Sequence, residues 1–306
     1  MASSSFRITN AEITGPVVAD RRRVDQALAR FCDEYLDGVP TPVADAIGYS
    51  LLGEGKRLRP LLAMAAYRAA RGAADITELA AALEVVHAYS LVHDDLPCMD
   101  DDDLRRGRPT THRKFGVAVA TVAGITMVPL AARCVWGAGE RLQLPRHVVQ
   151  DILRVLVQAA GAGGMIGGQV LDLEAERKSL SLVELERVHN AKTGALIAAA
   201  ARIGGLAAGA SDLQLAALDR YGVAIGLAFQ IADDLLDVTA TSDQIGKTAG
   251  RDIALEKSTY PALLGIEGAS GRARLLVAEG CDALRGADLL TPELEWLAAY
   301  SVARRS

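Results

Sequence analysis

Apolar positions recur at helical spacing along nearly the whole chain. From Asp20 they fall on one face as Val24, Leu28, Phe31 and Tyr35, the stripe of an amphipathic helix. Gly38-Val-Pro-Thr-Pro42 breaks that pattern. A second helix is predicted over about 43–52, Gly53-Glu-Gly55 ends it, and a third starts with Pro60 in its first turn. Residues 75–99 read as a long apolar helix through Ile76, Leu79, Leu83 and Val86, with His87 and Asp94 on a shared face. The segment from Phe115 to Ala132 carries no charge and is nearly long enough to span a bilayer. Gly116, Gly124 and Pro129 lie within it, and a helix buried on all sides is expected instead. Further helical patterns cover 146–163, 181–189, 191–208, 212–238, 258–267, 270–284 and 291–303. Residues 1–18 lack periodicity and are expected to form a loose arm. Almost no period-two alternation is bounded by turn residues, so no strands are expected. The prediction is all-α, with one domain over residues 19–306.

Composition narrows the function without naming it. Half of the 306 residues are hydrophobic, enough for a sizeable core, and the net charge of −5 gives no support for a nucleic-acid partner. Cys32, Cys98, Cys134 and Cys281 are scattered, with no CxxC pair, as expected of free thiols in a cytoplasmic protein. The start, Met1 to Phe6, has no basic region followed by an apolar one, so neither a signal peptide nor a membrane span is expected.

Two acidic clusters carry the chemistry. Between Asp94 and Asp103 stand six aspartates, followed at once by Arg105 and Arg106. Like charges at that density call for a cation, and Mg²⁺ takes one or two carboxylates while leaving positions for phosphate. Arginines suit that phosphate. The second cluster, Asp233-Asp234-Leu-Leu-Asp237, lies among apolar residues; Asp233 and Asp237 share a helix face with Gln230. Buried carboxylates without a partner cost several kcal/mol. Basic residues gather at Lys56/Arg59, Arg105/Arg106, Lys192, Lys247 and Lys257. Carboxylates, metal and cations together suit a site that holds a polyphosphate and removes it as a leaving group. The chain has no GxxxxGK[ST] and no GxGxxG after a strand, so neither cluster reads as a nucleotide site.

The motifs then bring a resemblance. In order, they are Gly55-Lys-Arg-Leu-Arg-Pro60, His87 to Asp100, Asp103-Leu-Arg-Arg-Gly-Arg-Pro-Thr110, Gly167-Gly-Gln169 with Asp172, Lys192-Thr-Gly194, Phe229 to Asp237, Gly246 to Asp252, and Lys257 to Pro261. With these the chain, from about residue 20 to 303, resembles the trans-type, head-to-tail isoprenyl diphosphate synthases of the farnesyl and geranylgeranyl diphosphate synthase family. The resemblance implies the isoprenoid synthase fold, a bundle of mainly antiparallel helices around a central cavity, usually as a homodimer. It implies three Mg²⁺ ions between the aspartate motifs, ionisation of an allylic diphosphate (dimethylallyl, geranyl or farnesyl), attack by isopentenyl diphosphate or a close analogue, and proton loss. By position it assigns metal binding to Asp94 and Asp100 with Asp95 in support, and to Asp233 with Asp234 and Asp237 helping. Arg105, Lys192 and Lys247 are assigned to the allylic diphosphate. Thr193 and Gln230 place oxygen dipoles near the cation. Lys56, Arg59, His87 and Arg106 are assigned to isopentenyl diphosphate, and Lys257 is a further substrate-binding candidate. His93, His112 and His189 are read as structural.

In the family, residues just before the first motif bound product length. Here they are Tyr89 and Ser90, and bulky Tyr89 favours a C15 product, with C20 accessible if it swings aside. One position departs from the family pattern: Ala123-Gly-Ile-Thr-Met127 places Ile125 where an aspartate is usual. A missing carboxylate beside the metal site is expected to alter its hydrogen bonding and the substrate preference. Two other readings are a class I terpene cyclase and a non-catalytic partner of another synthase. The second aspartate motif and Lys56/Arg59/His87 oppose the first; both intact motifs oppose the second.

Overall fold

A computed structural model describes residues 10–176, 178–239 and 257–303. The chain is a helical bundle. Its first elements are α1 (Asn10–Tyr35), α2 (Thr41–Leu51), α3 (Leu58–Ala69) and α4 (Thr77–Asp94). A two-residue ribbon follows, β1 (Leu104–Arg105) with β2 (Arg108–Pro109), then α5 (Thr111–Phe115), α6 (Val117–Arg141), α7 (Arg146–Ala160), α8 (Met165–Glu174) and α9 (Leu182–His189). A π turn at Asn190–Gly194 leads into α10 (Ala195–Ala208), α11 (Asp212–Thr239), α12 (Tyr260–Arg285) and α13 (Pro292–Val302).

Local chemistry sets several starts. Ser181 and Glu184 form a reciprocal capping box on α9. Thr259 and Thr291 accept from Ala262 and Leu294 N–H groups, each just before a first-turn proline. Helix α4 is the axis of the fold: Leu79, Leu83, Val85, Val86 and Val92 are buried on successive faces, and α1, α2, α3, α6 and α10 pack around it. A smaller core joins α9, α11 and α12 through Leu185, Leu227, Ile231, Tyr260 and Leu276.

Four expectations need correcting. Residues 10–18, expected as a loose arm, are the first turns of α1, with Pro16 inside the helix. A short antiparallel pair exists where no strand was expected, because Arg106 and Gly107, both at positive φ (53° and 72°), make a two-residue hairpin turn. The two helices expected over 258–267 and 270–284 are one element, kinked at Gly265 (φ 70°, ψ 166°). Finally, α6 is not buried on all sides. It packs on α4 through Ala123, Met127 and Ala131, but Val122 and Ile125 are exposed. Helices α6 and α11 are both long and apolar enough to cross a membrane; most of the apolar window of α11 is buried in the protein.

Candidate active site

The first acidic motif begins where α4 ends. Buried Leu96 packs with Val92 and Ala120, and anchors the loop that follows. The Asp100 N–H donates to the Asp94 carbonyl at 2.8 Å, and the Asp101 N–H, at φ 51°, donates to the Leu96 carbonyl at 3.1 Å. This folded turn brings the Asp94 and Asp100 side chains to one place. Burial, with Asp100 and Asp95 adding to it, pushes the Asp94 carboxyl up to about 6 against the pull of Lys192 and Arg105.

Asp95, one residue on, serves differently. It is 2% exposed, and both its oxygens accept from Arg105 Nε, at 2.8 and 2.9 Å. Arg105 is therefore held from behind by Asp95, with Asp102 at 3.6 Å. Arg106, across the hairpin turn, donates instead to the Glu54 carbonyl. Arg105 ends β1 while Arg106 begins the left-handed turn, and their guanidiniums take different partners.

The second acidic motif lies on α11. Asp233 and Asp237 are partly exposed on one face, and Asp237 Oδ2 is buried without a hydrogen-bond partner among the described residues. Asp234 lies about 100° round the helix and is 3% exposed. It accepts from Gln230 Nε2 at 3.2 Å and from the Tyr260 N–H at 3.1 Å, with His189 Nε2 at 3.6 Å. Asp234 thus ties the start of α12 to α11. Thr193 Oγ1 donates to Gln230 Oε1 at 3.0 Å, so the dipoles of the π turn and α11 are set together.

Between the motifs stands α8. Gln169 Nε2 donates to Asp100 Oδ1 at 3.1 Å. Asp172 Oδ2 accepts from Lys192 Nζ at 2.7 Å and from Lys257 Nζ at 3.0 Å. Burial opposes its charge, yet Lys192 and Lys257 hold the Asp172 carboxyl down to about 2. Lys192 is likewise held above the ordinary lysine range: burial opposes, and Asp172, Asp100 and Asp94 prevail. A Cβ on Gly168 would stand 2.2 Å from the Lys192 N atom, and one on Gly226 would stand 2.7 Å from the Gly194 Cα. Glycines at these two contacts let α8 and α11 close on the π turn from either side.

A basic cluster lies beside α4. Arg59 is 8% exposed and Nε finds no acceptor among the described residues. Burial lowers its guanidinium to about 10, Arg106 adds to that, and Glu84 and Asp233 act against it. His87 Nδ1 is buried and unpartnered, and burial with Arg59 and Arg106 drives the ring well below its usual value, so it is neutral. Lys56 lies in the loop just before α3, whose first turn carries Arg59.

Comparison with known proteins matches this arrangement to a family. The polyprenyl synthetase model fits residues 40–281. The chain belongs to the polyprenyl synthetase family. It is similar to the farnesyl diphosphate synthase of Escherichia coli (strain K12), 46% identical over 291 residues, covering 92% of this chain and 96% of that protein. Among solved structures it is similar to the geranylgeranyl pyrophosphate synthetase of Pyrococcus horikoshii, with TM-score 0.84, 29% identity and coverage of 96% and 98%. It is also similar to a Helicobacter pylori geranyltransferase complexed with magnesium and isoprenyl diphosphate, with TM-score 0.78, 29% identity and coverage of 96% and 97%. The all-α fold of this polyprenyl synthetase is the isoprenoid synthase fold.

Within the polyprenyl synthetase, Asp94, Asp100, Lys192 and Arg105 form one linked group, and Thr193, which follows Lys192 on the π turn, is bonded to Gln230 on α11. Arg59, His87 and Arg106 form a second, which Asp233 reaches through its charge on Arg59. Lys247 lies outside the described residues. The donor set fits a hard divalent cation on two observations: an orphaned Asp237 oxygen, and an Asp94 carboxyl destabilised by its burial beside Asp100. No three carboxylate, histidine or cysteine side chains converge on a point among the described residues, so phosphate oxygens and water would complete the shell. Gln169 and Asp172 also touch the first group, through Asp100 and Lys192, and Glu84 reaches the second through its charge on Arg59. Gln169 and Asp172 already stood in one of the sequence motifs, whereas Glu84 is a lone carboxylate in an apolar run.

The expectation for position 125 is corrected. Ile125 is 60% exposed, whereas a Cβ on Gly124 would stand 2.2 Å from His93 Nε2 on α4. One residue turns the helix by about 100°, so Ile125 does not stand beside the aspartates of α4.

Proposed function

We propose that the chain is a Mg²⁺-dependent short-chain trans-prenyl diphosphate synthase, which joins isopentenyl diphosphate, or a close analogue, to an allylic diphosphate. The observation that carries this is the pairing of two unlike phosphate cradles along α4. One is lined by carboxylates and lysines, the other by arginines and a neutral histidine. The acceptable allylic primers are the dimethylallyl, geranyl and farnesyl diphosphates.

In this reading Asp94, Asp100 and Asp233 hold Mg²⁺, three ions in all, with Asp237 contributing its free oxygen. The ions, when bound, draw charge from the departing diphosphate. Asp95 and Asp234 position rather than ligate, since Arg105 and the Tyr260 N–H occupy their oxygens. Arg105, Lys192 and Lys257, with Lys247, donate to the allylic diphosphate as its C–O bond breaks. Thr193 and Gln230 turn oxygens toward the allylic cation. Lys56, Arg59, His87 and Arg106 hold isopentenyl diphosphate so that its double bond attacks C1 of that cation; a proton then passes to the released pyrophosphate. Neutral His87 donates a hydrogen bond without adding charge.

Tyr89 and Ser90 form the floor that sets a C15 product, with C20 as the longer limit. Tyr89 is 7% exposed and stacks edge-on against His93, ring centroids 5.0 Å apart. The exposed apolar stripe of α6, Val122, Ile125 and Trp136, supports a homodimer built on this face. The cytoplasm is the proposed location; the four cysteines are free thiols.

Incubating the purified protein with Mg²⁺, isopentenyl diphosphate and each primer, then measuring product length, tests the proposal. Mainly C15 diphosphate is expected. A hydrocarbon made from one diphosphate alone would make it a cyclase, and no turnover with any primer would make it a non-catalytic partner.

A further inference from the structure

The run Gly55-Lys-Arg-Leu-Arg-Pro60 contains three cations, and the middle one is unlike its neighbours. Arg57 has a left-handed backbone (φ 52°) and is 4% exposed. Its Nε donates to Asp25 Oδ1 at 2.8 Å, Nη1 to Glu84 Oε1 at 2.9 Å, and Nη2 to the Leu51 and Gly53 carbonyls at 3.1 and 2.6 Å. Each guanidinium nitrogen is already engaged with protein, so Arg57 is not placed to be a ligand. It joins α1, the end of α2, and α4 to the loop that carries Lys56 and to the first turn of α3 that carries Arg59.

Glu84 is the second half of this device. It is 3% exposed in the middle of α4, among Leu83, Val85 and Val86. A buried carboxylate there costs several kcal/mol unless it is paired. Besides the ion pair with Arg57, its charge acts favourably on Arg59 and Arg106. It lies one turn before His87 on the same helix. The packing is close: a Cβ on Gly55 would stand 2.7 Å from Arg57 Nη1 and 3.0 Å from Arg106 Nη1. Arg57 bonds the Glu84 carboxylate directly, and the charge of that carboxylate also reaches Arg59 and Arg106. Without it, buried Arg59 would face the like charge of the more exposed Arg106 with less counter-charge beside it.

We propose that Glu84 and Arg57 are a buried positioning pair for the isopentenyl diphosphate half of the site, Arg57 fixing the loop and Glu84 holding Arg59 and Arg106 together before the diphosphate arrives. This rests on the reading of Lys56, Arg59, His87 and Arg106 as the isopentenyl diphosphate cradle. Neither residue touches the substrate. The pair acts on one substrate and not on the other, because Lys192 and Arg105 take their counter-charges from Asp172 and Asp95 instead.

The test uses the full chain with Mg²⁺, geranyl diphosphate and isopentenyl diphosphate, and compares Arg59→Met, Glu84→Gln and the double variant Arg57→Met with Glu84→Met. Loss of a charged, buried hydrogen-bond network is expected to raise KM for isopentenyl diphosphate by at least about tenfold in Glu84→Gln, with KM for geranyl diphosphate changed less than about twofold. Arg59→Met should raise the same KM. Replacing the whole ion pair by apolar side chains should bring Tm back toward wild type, while KM for isopentenyl diphosphate stays raised. If KM recovers together with Tm, the pair is only structural and the proposal fails. If Arg59→Met raises KM for isopentenyl diphosphate and the other two variants do not, the proposal fails while the cradle stands. If Arg59→Met leaves it unchanged, the cradle reading falls and takes the proposal with it. Should Glu84→Gln not fold, the double variant gives the same three outcomes.

Discussion

On the proposed function, the two ends of the site handle the same chemical group, a diphosphate, with opposite charge. Around Asp94 and Asp100 carboxylates outnumber the cations that reach them, and Asp172 already engages both Lys192 and Lys257. Around Glu84 the guanidiniums of Arg57, Arg59 and Arg106 gather charge, Glu84 acting on all three and Asp25 bonding Arg57 as well. A diphosphate approaching the first region meets negative charge and needs a cation between; one approaching the second meets guanidiniums directly. The lesson is a division of labour. Under that proposal, the acidic region would serve the diphosphate that leaves, whose growing charge a metal would stabilise. The basic region would serve the diphosphate that stays attached, which needs only to be held.

Breaking the acidic region should have the largest effect. Asp94→Ala removes a metal-facing carboxylate and is expected to lower kcat by roughly 10³-fold or more, measured at saturating Mg²⁺ with KM for isopentenyl diphosphate nearly unchanged. A loss confined to KM would place Asp94 outside the ionisation step.

The next effect concerns the product. Tyr89→Ala removes the ring that lies against His93. Chromatography of the dephosphorylated products should show a shift from C15 toward C20. An unchanged distribution would remove Tyr89 from the floor.

The smallest effect is on stability. The Asp172 carboxyl is depressed in the folded state to about 2 from the usual 3.8. A depressed carboxylate stabilises the fold above its unfolded value, and that stability is lost as pH falls through the folded one. Between pH 4 and 2 the wild type should therefore lose roughly 2 kcal/mol that Asp172→Asn lacks from the start. Denaturation midpoints of the two proteins across that window check it; parallel curves would mean that Lys192 and Lys257 do not depend on Asp172.

Much of this was legible from the chain. Most helices of the bundle followed from the 3.6-residue period, though α5 and α8 did not, and both aspartate motifs stood out because six carboxylates in ten residues, or three on an apolar helix, require a counter-charge. What could not be read was direction at the ends of helices. Asp95 and Asp234 look like their neighbours in sequence, yet each turns into protein. Asp234 does so because one residue along α11 is a 100° rotation, enough to move it from the Asp233 face to the Tyr260 N–H. Asp95 caps α4, where helical spacing stops predicting direction. Arg57 and Glu84 are 27 residues apart, and no local pattern announces their contact. Ile125 drew attention as a missing aspartate, and the rotation from Gly124 to Ile125 takes it out of that role.

The contrast between the two regions has one direct test: calorimetric binding of isopentenyl diphosphate and of a non-ionisable geranyl diphosphate analogue, each with Mg²⁺ and with EDTA. If the basic region holds its diphosphate unaided and the acidic region needs a cation, EDTA should change Kd for isopentenyl diphosphate by less than about threefold and weaken the geranyl analogue by at least about a hundredfold. Equal dependence of both ligands on Mg²⁺ would contradict the account.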